Sequence, residues 1–411
     1  MNAYTIEDLR RQARRRLPRA VFDFIDGGAE EESTLRDNCA AFARIRLAPK
    51  MLVDVSRIDT STTILGGPSK LPLAIAPTGA VGFGWRGGDV AIAKAAAAVG
   101  IPYSLSMSAT ASIEQVAREA PGRLWFQAYF LRQRDYTLGL IERARAAGYE
   151  ALIVTADVPV GGKRERDHRN NFTVPFKYTA RNVLDFASRP AWSLSMLFNG
   201  VPVLENLRGL APETTSATAL ASSVARNNDA TLDWEVLKQV RDRWPGKMMV
   251  KGILRPDDAE RAIAVGCEGV IVSNHGGRQL DGAPAPVDAL PAIVRAVGGK
   301  ASVLMDGGVR RGADAVKALA RGAEAVMTGR ATLFGVCAAG DAGARRALDI
   351  LADELVRTMQ LCGICRISDI GPGLLFRESN SNSALVEKLE GDGAALAGDD
   401  RPGRVGSRGA R

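Results

Sequence analysis

The sequence predicts an α/β protein built as a single (β/α)8 TIM barrel, with an N-terminal helical extension and a long insertion after the fourth strand. Three observations predict it. Helical stretches close on glycine at Ala-Val-Gly100, Ala-Ala-Gly148, Ala-Val-Gly266 and Ala-Arg-Gly322, and an apolar run follows each one. Glycine just past a helix is a C-cap, and an unbroken apolar run is a strand buried on both faces. Eight such runs alternate with helices, and 411 residues suffice for one barrel as a single unit.

Taken in order, residues 1–70 are expected to be the helical extension and 71–375 the barrel. The strands are read as Leu71–Ala76, Ile101–Ser106, Leu124–Tyr129, Leu152–Thr155, Met248–Lys251, Gly269–Ser273, Ser302–Met305 and Ala325–Thr328. A doubly wound sheet competes through Gly82-Phe-Gly84-Trp-Arg-Gly87, which fits a dinucleotide fingerprint. That fold also needs an acidic residue at the end of the next strand, and Ile101 to Ser108 contains none, so the barrel is preferred. Between strands four and five, about 173–231 form an insertion far longer than an ordinary loop, which marks it as functional or mobile. Within it, Val183 to Phe198 carries Phe, Trp and Leu at near-helical spacing, suited either to a membrane interface or to packing on the barrel or a second subunit. The tail, 376–411, ends in a Gly-, Asp-, Arg- and Ala-rich stretch expected to be disordered.

Composition narrows the function. No apolar run approaches the roughly 20 residues that span a bilayer, and the first residues lack a signal peptide's apolar stretch, so a cytoplasmic protein is expected. The net charge of +8 is spread over helices that also carry acids, without interleaved aromatics, which argues against nucleic acid. The clusters Arg10 to Arg16 and Arg401 to Arg411 read as solvated surfaces. Five cysteines, mostly far apart, suit a reducing compartment, and Cys362-Gly-Ile-Cys365 lacks the second pair a zinc site needs. With only two histidines, no metal is expected.

Barrel enzymes carry reactive groups at the C-terminal ends of their strands. Here those ends read Ala76-Pro-Thr-Gly79, Ser106, Gln127-Ala-Tyr129, Thr155-Ala-Asp157, Lys251, Ser273-Asn-His-Gly-Gly-Arg278, Asp306-Gly-Gly-Val-Arg310 and Thr328-Gly-Arg330. Glycines beside arginines at strands seven and eight supply close backbone N–H groups and a guanidinium fork, the requirements of a phosphate. His275 follows a buried strand, three residues before Arg278, as an acid–base group beside an anion site would. His168, in the polar run Lys163 to Arg169, is expected to be exposed or loop-bound.

These residues resemble the FMN-dependent 2-hydroxy acid dehydrogenase/oxidase family, most closely its L-lactate and mandelate dehydrogenases. Ser273-Asn-His-Gly-Gly-Arg-Gln-Leu-Asp281 is similar to the family's active-site signature, and Asp306-Gly-Gly-Val-Arg-Arg-Gly312 with Gly329-Arg330 to its flavin phosphate site. The similarity runs from Asp26-Gly-Gly-Ala-Glu30 to about Leu375.

By that resemblance FMN would contact Pro77, Thr78, Gly79, Ser106, Gln127, Thr155, Lys251, Ser273, Asp306, Gly307, Gly308, Arg310, Gly329 and Arg330, with Lys251 stabilising the reduced ring's negative charge. The substrate carboxylate would be held by Arg278 and Arg164, with a hydrogen bond from Tyr129. His275 would take a proton from Cα or from the hydroxyl, a choice the residues leave open, and Asp157 would orient and stabilise its ring. Phe24 stands where most members carry a tyrosine that touches the carboxylate, so one hydroxyl is missing. The resemblance further implies a homotetramer. In the insertion and the Arg164-Glu-Arg-Asp167 context the chain looks closest to the family's lactate and mandelate dehydrogenases, and that resemblance implies a quinone as the preferred electron acceptor, with O2 as the alternative, and peripheral contact on the inner face of the membrane.

Overall fold

The computed structural model describes residues 2–170, 179–210 and 227–376. Strands β3 (Leu73–Thr78), β4 (Tyr103–Ser106), β5 (Leu124–Ala128), β6 (Ala151–Thr155), β7 (Lys247–Ile253), β8 (Gly269–Val272), β9 (Ser302–Met305) and β10 (Ala325–Thr328) are parallel and close into one barrel, with β10 pairing β3. Closure follows from their composition. Both faces of each strand are apolar, so a helix layer covers the outside while the inside packs upon itself.

Alternation along the strands divides the two faces. Leu73, Ile75, Leu105, Phe126, Val154, Val250, Val272 and Met305 pack outward with the helices, while Ala74, Ala76, Trp125, Ile153, Met249, Ile271, Leu304 and Met327 form a separate inner core. One further step of two up each strand leads from Ile153 to Thr155, from Met249 to Lys251, from Ile271 to Ser273 and from Leu304 to Asp306. The polar residues at the barrel mouth thus extend the files of the inner core.

The helices α4 (Gly88–Val99), α5 (Ile113–Glu119), α6 (Arg134–Ala146), α10 (Trp234–Arg243), α11 (Pro256–Ala264), α12 (Pro286–Val297), α13 (Gly312–Ala320) and α14 (Arg330–Leu361) follow the strands in turn. The insertion contributes α8 (Ala180–Ala187) and α9 (Pro190–Asn199), and α7 (Glu165–Arg169) precedes it. His168 is accordingly exposed on a short helix. The Gly82 to Gly87 segment is a 3-10 turn, Val81–Phe83, leading into α4 within the barrel.

The extension is only partly helical. Helices α1 (Ile6–Arg16), α2 (Arg19–Asp26) and α3 (Ser33–Arg44) are followed by irregular chain and an antiparallel hairpin, β1 (Thr62–Ile64) with β2 (Gly67–Ser69). Its turn holds Leu65 and Gly66 at φ of 52° and 76°. Ile64 and Leu65 join the inner barrel core, and Arg123 donates to the carbonyls of Ile64, Gly67 and Pro68. The hairpin therefore plugs the barrel at the end opposite the strand C-termini. An apolar residue at positive φ is a poor hairpin signal, which explains why the sequence suggests no strand there. The Gly-rich tail from residue 377, expected to be disordered, and the centre of the insertion, expected to be functional or mobile, lie outside the described residues.

Candidate active site

The loop after β8 begins the site. His275 lies in the left-handed region at φ 57°, followed by Gly276 and Gly277 at 64° and 72°. A histidine there is strained, and the surroundings hold it. Its N–H donates to the Ser273 hydroxyl at 3.0 Å, and that oxygen also accepts from Lys251 Nζ at 2.8 Å. Asn274 exchanges amide hydrogen bonds of 2.9 and 2.7 Å with Asn38 of α3, and Asn274 Oδ1 accepts from the Gly277 N–H. The extension thereby clamps the loop.

The imidazole spans two groups. Nδ1 lies 2.9 Å from Asp157 Oδ1, and Nε2 lies 3.4 Å from the Tyr129 hydroxyl. Burial raises the pKa of the Asp157 carboxyl, but the charges of His275 and Lys251 outweigh it and hold the pKa below the usual range. Burial, partly opposed by Lys251, pushes Tyr129 up to about 12, so its hydroxyl stays neutral and able to donate. Lys251 is 3% exposed and pairs with Asp306 at 3.2 Å and Asp157 at 4.0 Å. Burial lowers its pKa, yet these two carboxylates keep it above the ordinary lysine value. Space for Asp157 comes from Gly252 at φ 104°, where a Cβ would stand 2.5 Å from Asp157 Cβ.

Beside the imidazole, Arg278 donates to the carbonyls of Phe24 and Gly27, both at 2.8 Å. Its guanidinium lies 5.3 Å from the Phe24 ring centroid, and that of Arg164 lies 5.4 Å from the same ring. Arg164 pairs with Asp167 at 3.3 Å. Burial, with Arg164 and Arg330 nearby, lowers Arg278 to about 9, and burial with Arg310 nearby lowers Arg330 to about 10. Both remain cations at neutral pH. Arg330 donates to the carbonyls of Gly276 and Gly27, which joins the end of β10 to the His275 loop.

Next to this loop, at the ends of β9 and β10, stand Gly307 and Gly308, at φ 94° and 86°, and the N-terminus of α14 after Gly329. A Cβ on Gly308 would lie 1.9 Å from the Asn38 carbonyl oxygen, so only glycine fits. The cleft has about 1360 Å³ of free space counting its open mouth. Its walls include Phe24, Pro77, Thr78, Gly79, Tyr129, Arg164, Lys251, His275, Arg278, Asp306, Gly307, Gly308, Arg310, Gly329 and Arg330, all singled out from the sequence. Ser106, Gln127 and Thr155 form a buried row behind them, Ser106 to Gln127 at 3.1 Å and Gln127 to Thr155 at 3.0 Å. Sequence reasoning missed Ser108, Leu204, Asn228 and Gln279 in the wall, and Gly252 and Asn274 behind it. Ser108 and Gln279 each sit within two residues of a chosen position. Leu204 and Asn228 had no local signal.

The arrangement fits FMN. A left-handed glycine pair, a helix N-terminus and Arg310 suit a phosphate, and a buried lysine suits a ring that gains negative charge. Asp306 Oδ1 and Thr328 Oγ1, both buried without a hydrogen-bond partner among the described residues, belong to residues of the same wall.

Comparison with known proteins agrees with this geometry. A family model described as FMN-dependent dehydrogenase matches residues 13–377. The chain is 44% identical over 392 residues to (S)-mandelate dehydrogenase of Pseudomonas putida, covering 95% of this chain and 98% of that one. It is 42% identical to L-lactate dehydrogenase of Caulobacter vibrioides, covering 90% and 96%, and 42% identical to L-lactate oxidase of a Nostoc species, covering 91% and 98%. The crystal structure of the monotopic membrane protein (S)-mandelate dehydrogenase superposes with a TM-score of 0.88 at 43% identity, covering 92% of this chain and all (100%) of that chain. Family match, near full-length relatives and a barrel mouth of this construction lead to one conclusion: the chain belongs to the FMN-dependent dehydrogenases and is an FMN flavoenzyme, an oxidoreductase of the 2-hydroxy acid dehydrogenase/oxidase group that acts on CH–OH donors.

Proposed function

We propose that this enzyme oxidises an L-2-hydroxy acid of the mandelate or lactate type to the 2-oxo acid and passes the electrons to a quinone. The observation that carries this reading is the Asp157–His275–Tyr129 array set beside Arg278 and Arg164 at the barrel mouth. Arg278, Arg164 and the Tyr129 hydroxyl hold the substrate carboxylate, which orients Cα toward the imidazole. His275 Nε2 receives the substrate proton, and Asp157, fixed as a carboxylate on Nδ1, stabilises the resulting imidazolium. FMN, when bound, supplies the two-electron acceptor. Its holders would be Pro77, Thr78, Gly79, Ser106, Gln127, Thr155, Lys251, Ser273, Asp306, Gly307, Gly308, Arg310, Gly329 and Arg330.

The acceptor reading is supported by the surface of the insertion. Leu184, Leu197 and Phe198 are 71%, 74% and 79% exposed, while Trp192 turns inward and donates to the Phe83 carbonyl at 2.8 Å. Such a helical hairpin suits peripheral contact with the membrane where quinones reside, and no helix among the described residues is long and apolar enough to cross one. The 42% identical L-lactate oxidase favours a second reading, electron transfer to O2.

The test begins without oxygen. Adding (S)-mandelate or L-lactate to the yellow protein should bleach the flavin band, and reoxidation by a quinone analogue should outpace that by O2. A flavin that no 2-hydroxy acid reduces would defeat the proposal, and faster reoxidation by O2 would select the oxidase reading.

A further inference from the structure

Asp157 and Arg164 serve different steps of the proposed reaction, one at the imidazole and one at the substrate carboxylate, yet both belong to one stretch of chain. Residues 156–164, between β6 and α7, form neither helix nor strand. Gly161 and Gly162 lie within it, and a glycine pair leaves a loop many conformations unless its backbone is tied. The two ends are tied by the Ala156 N–H to the Lys251 carbonyl at 2.9 Å and by the Glu30 N–H to the Lys163 carbonyl at 2.8 Å.

Between those ends, one side chain from the loop after β8 holds the backbone at Gly162, Val160 and Asp157. Gln279 Oε1 accepts from the Gly162 N–H at 2.9 Å, and Nε2 donates to the Val160 carbonyl at 3.2 Å and, more loosely, to that of Asp157 at 3.4 Å. These partners assign the amide's orientation, because the flipped group would set its oxygen against two carbonyls and its nitrogen against an N–H. The two loops also touch backbone to backbone: a Cβ on Gly162 would stand 2.3 Å from the Arg278 carbonyl oxygen and 2.8 Å from Gln279 Cα. Asn228 adds a single tie, from Nδ2 to the Val158 carbonyl at 2.8 Å. Gln279 follows Arg278 directly, so one short piece of chain carries both a guanidinium of the carboxylate clamp and the amide that holds the neighbouring loop.

We infer that Gln279 is a positioning residue that aligns two parts of the site at once. Through the Asp157 backbone it keeps that carboxylate at the imidazole, 2.9 Å from His275 Nδ1, and through Gly162 and Val160 it keeps Arg164 beside Arg278 at the Phe24 ring. The inference rests on the proposed 2-hydroxy acid oxidation. Gln279 acts through Asp157 and Arg164, so its contribution exists only where those two side chains are present.

Two quantities test this: the limiting rate of flavin reduction by (S)-mandelate or L-lactate, whichever acts faster, and the calorimetric Kd of the corresponding 2-oxo acid, which engages the clamp without turnover. Gln279→Ala should slow reduction by about 10- to 100-fold, the effect of displacing a reacting group by up to about 1 Å, and weaken 2-oxo acid binding by about tenfold. In an Asp157→Asn background the same change should slow reduction by less than about twofold while still weakening binding, and in Arg164→Met the binding loss should vanish while the slower reduction remains. If Gln279→Ala does not fold, Gln279→Met, which keeps the length of the side chain without its polar arms, takes its place. A role in stability alone would lower the yield of flavin-loaded protein and leave both quantities unchanged per bound flavin. Unchanged values, or the same fold loss in all three backgrounds, overturn the inference and leave the proposed function standing. Failure of every hydroxy acid to bleach the wild-type flavin overturns both.

Discussion

His275 sits where backbone strain and side-chain chemistry meet. Its left-handed φ turns the chain so that Nδ1 reaches Asp157 and Nε2 faces Tyr129, and the hydrogen bonds through Ser273 and Asn274 hold that turn. Replacing His275 with Gln should leave FMN bound and lower kcat by about 10²- to 10⁴-fold, the usual contribution of general acid–base catalysis. Stopped-flow reduction of the flavin measures this, and a variant reduced at the wild-type rate would assign the base elsewhere. Phe24 tests the other half of the site. Its ring lies against the guanidinium groups of both Arg164 and Arg278 and supplies no hydroxyl. A hydrogen bond to a charged group contributes about 1.5 to 3 kcal/mol, so Phe24→Tyr should lower KM by about 10- to 150-fold with little change in kcat. An unchanged KM would mean that the new hydroxyl does not reach the carboxylate.

Among the elements, the α8–α9 hairpin has two faces. Phe186 and Trp192 stack at 5.5 Å, Arg86 donates to the Gly200 carbonyl, and the Arg19 N–H donates to Asp185, so one face is tied to the barrel and the extension. The opposite face exposes Leu184, Leu197 and Phe198. Replacing these three with serine should move the enzyme from the membrane pellet to the supernatant and preserve turnover with a soluble dye. Equal partitioning of the two forms would remove the hairpin as a membrane contact. The Val183 to Phe198 stretch was open from sequence between lipid and protein contact. The fold divides it: Trp192 packs inward, and the leucines do not.

At the scale of the whole molecule, one buried acid outside the active site makes stability depend on pH. Asp89, at the start of α4, is fully buried (0% exposed), and burial raises it from 3.8 to about 6 even though Thr110 donates to it from both side chain and backbone. Thr110 in turn accepts from the Gly82 N–H, linking α4 to the turn after β3. Because the folded pKa lies above the unfolded one, the stabilisation is complete below about pH 4 and is lost as pH rises through 6. The loss is of order 3 kcal/mol, about two pKa units at 1.36 kcal/mol each. Urea unfolding of the holoenzyme between pH 4 and 7 should show this slope in wild type and not in Asp89→Asn. Parallel pH profiles would rule out Asp89 as its source.

What the sequence alone determined follows from local periodicity. Glycine-capped helices alternating with apolar runs specify the eight strands to within a few residues, and the period of two in each strand puts Thr155, Lys251, Ser273 and Asp306 on the inward files. Glycines and arginines close together at Asp306 to Arg310 and Thr328 to Arg330 announce an anion site for the same reason: the pattern lies within a few residues. Tertiary structure alone decided which distant residues meet. Asn38 reaches Asn274 across 236 positions, and Gly252 gives Asp157 room beside His275, 118 positions away. Asn228 arrives at the cleft from the far end of the insertion, and Leu65 plugs the barrel from a turn in which an apolar residue sits at positive φ. Barrel closure brings these residues together, and contacts made by closure leave no periodic trace in the chain.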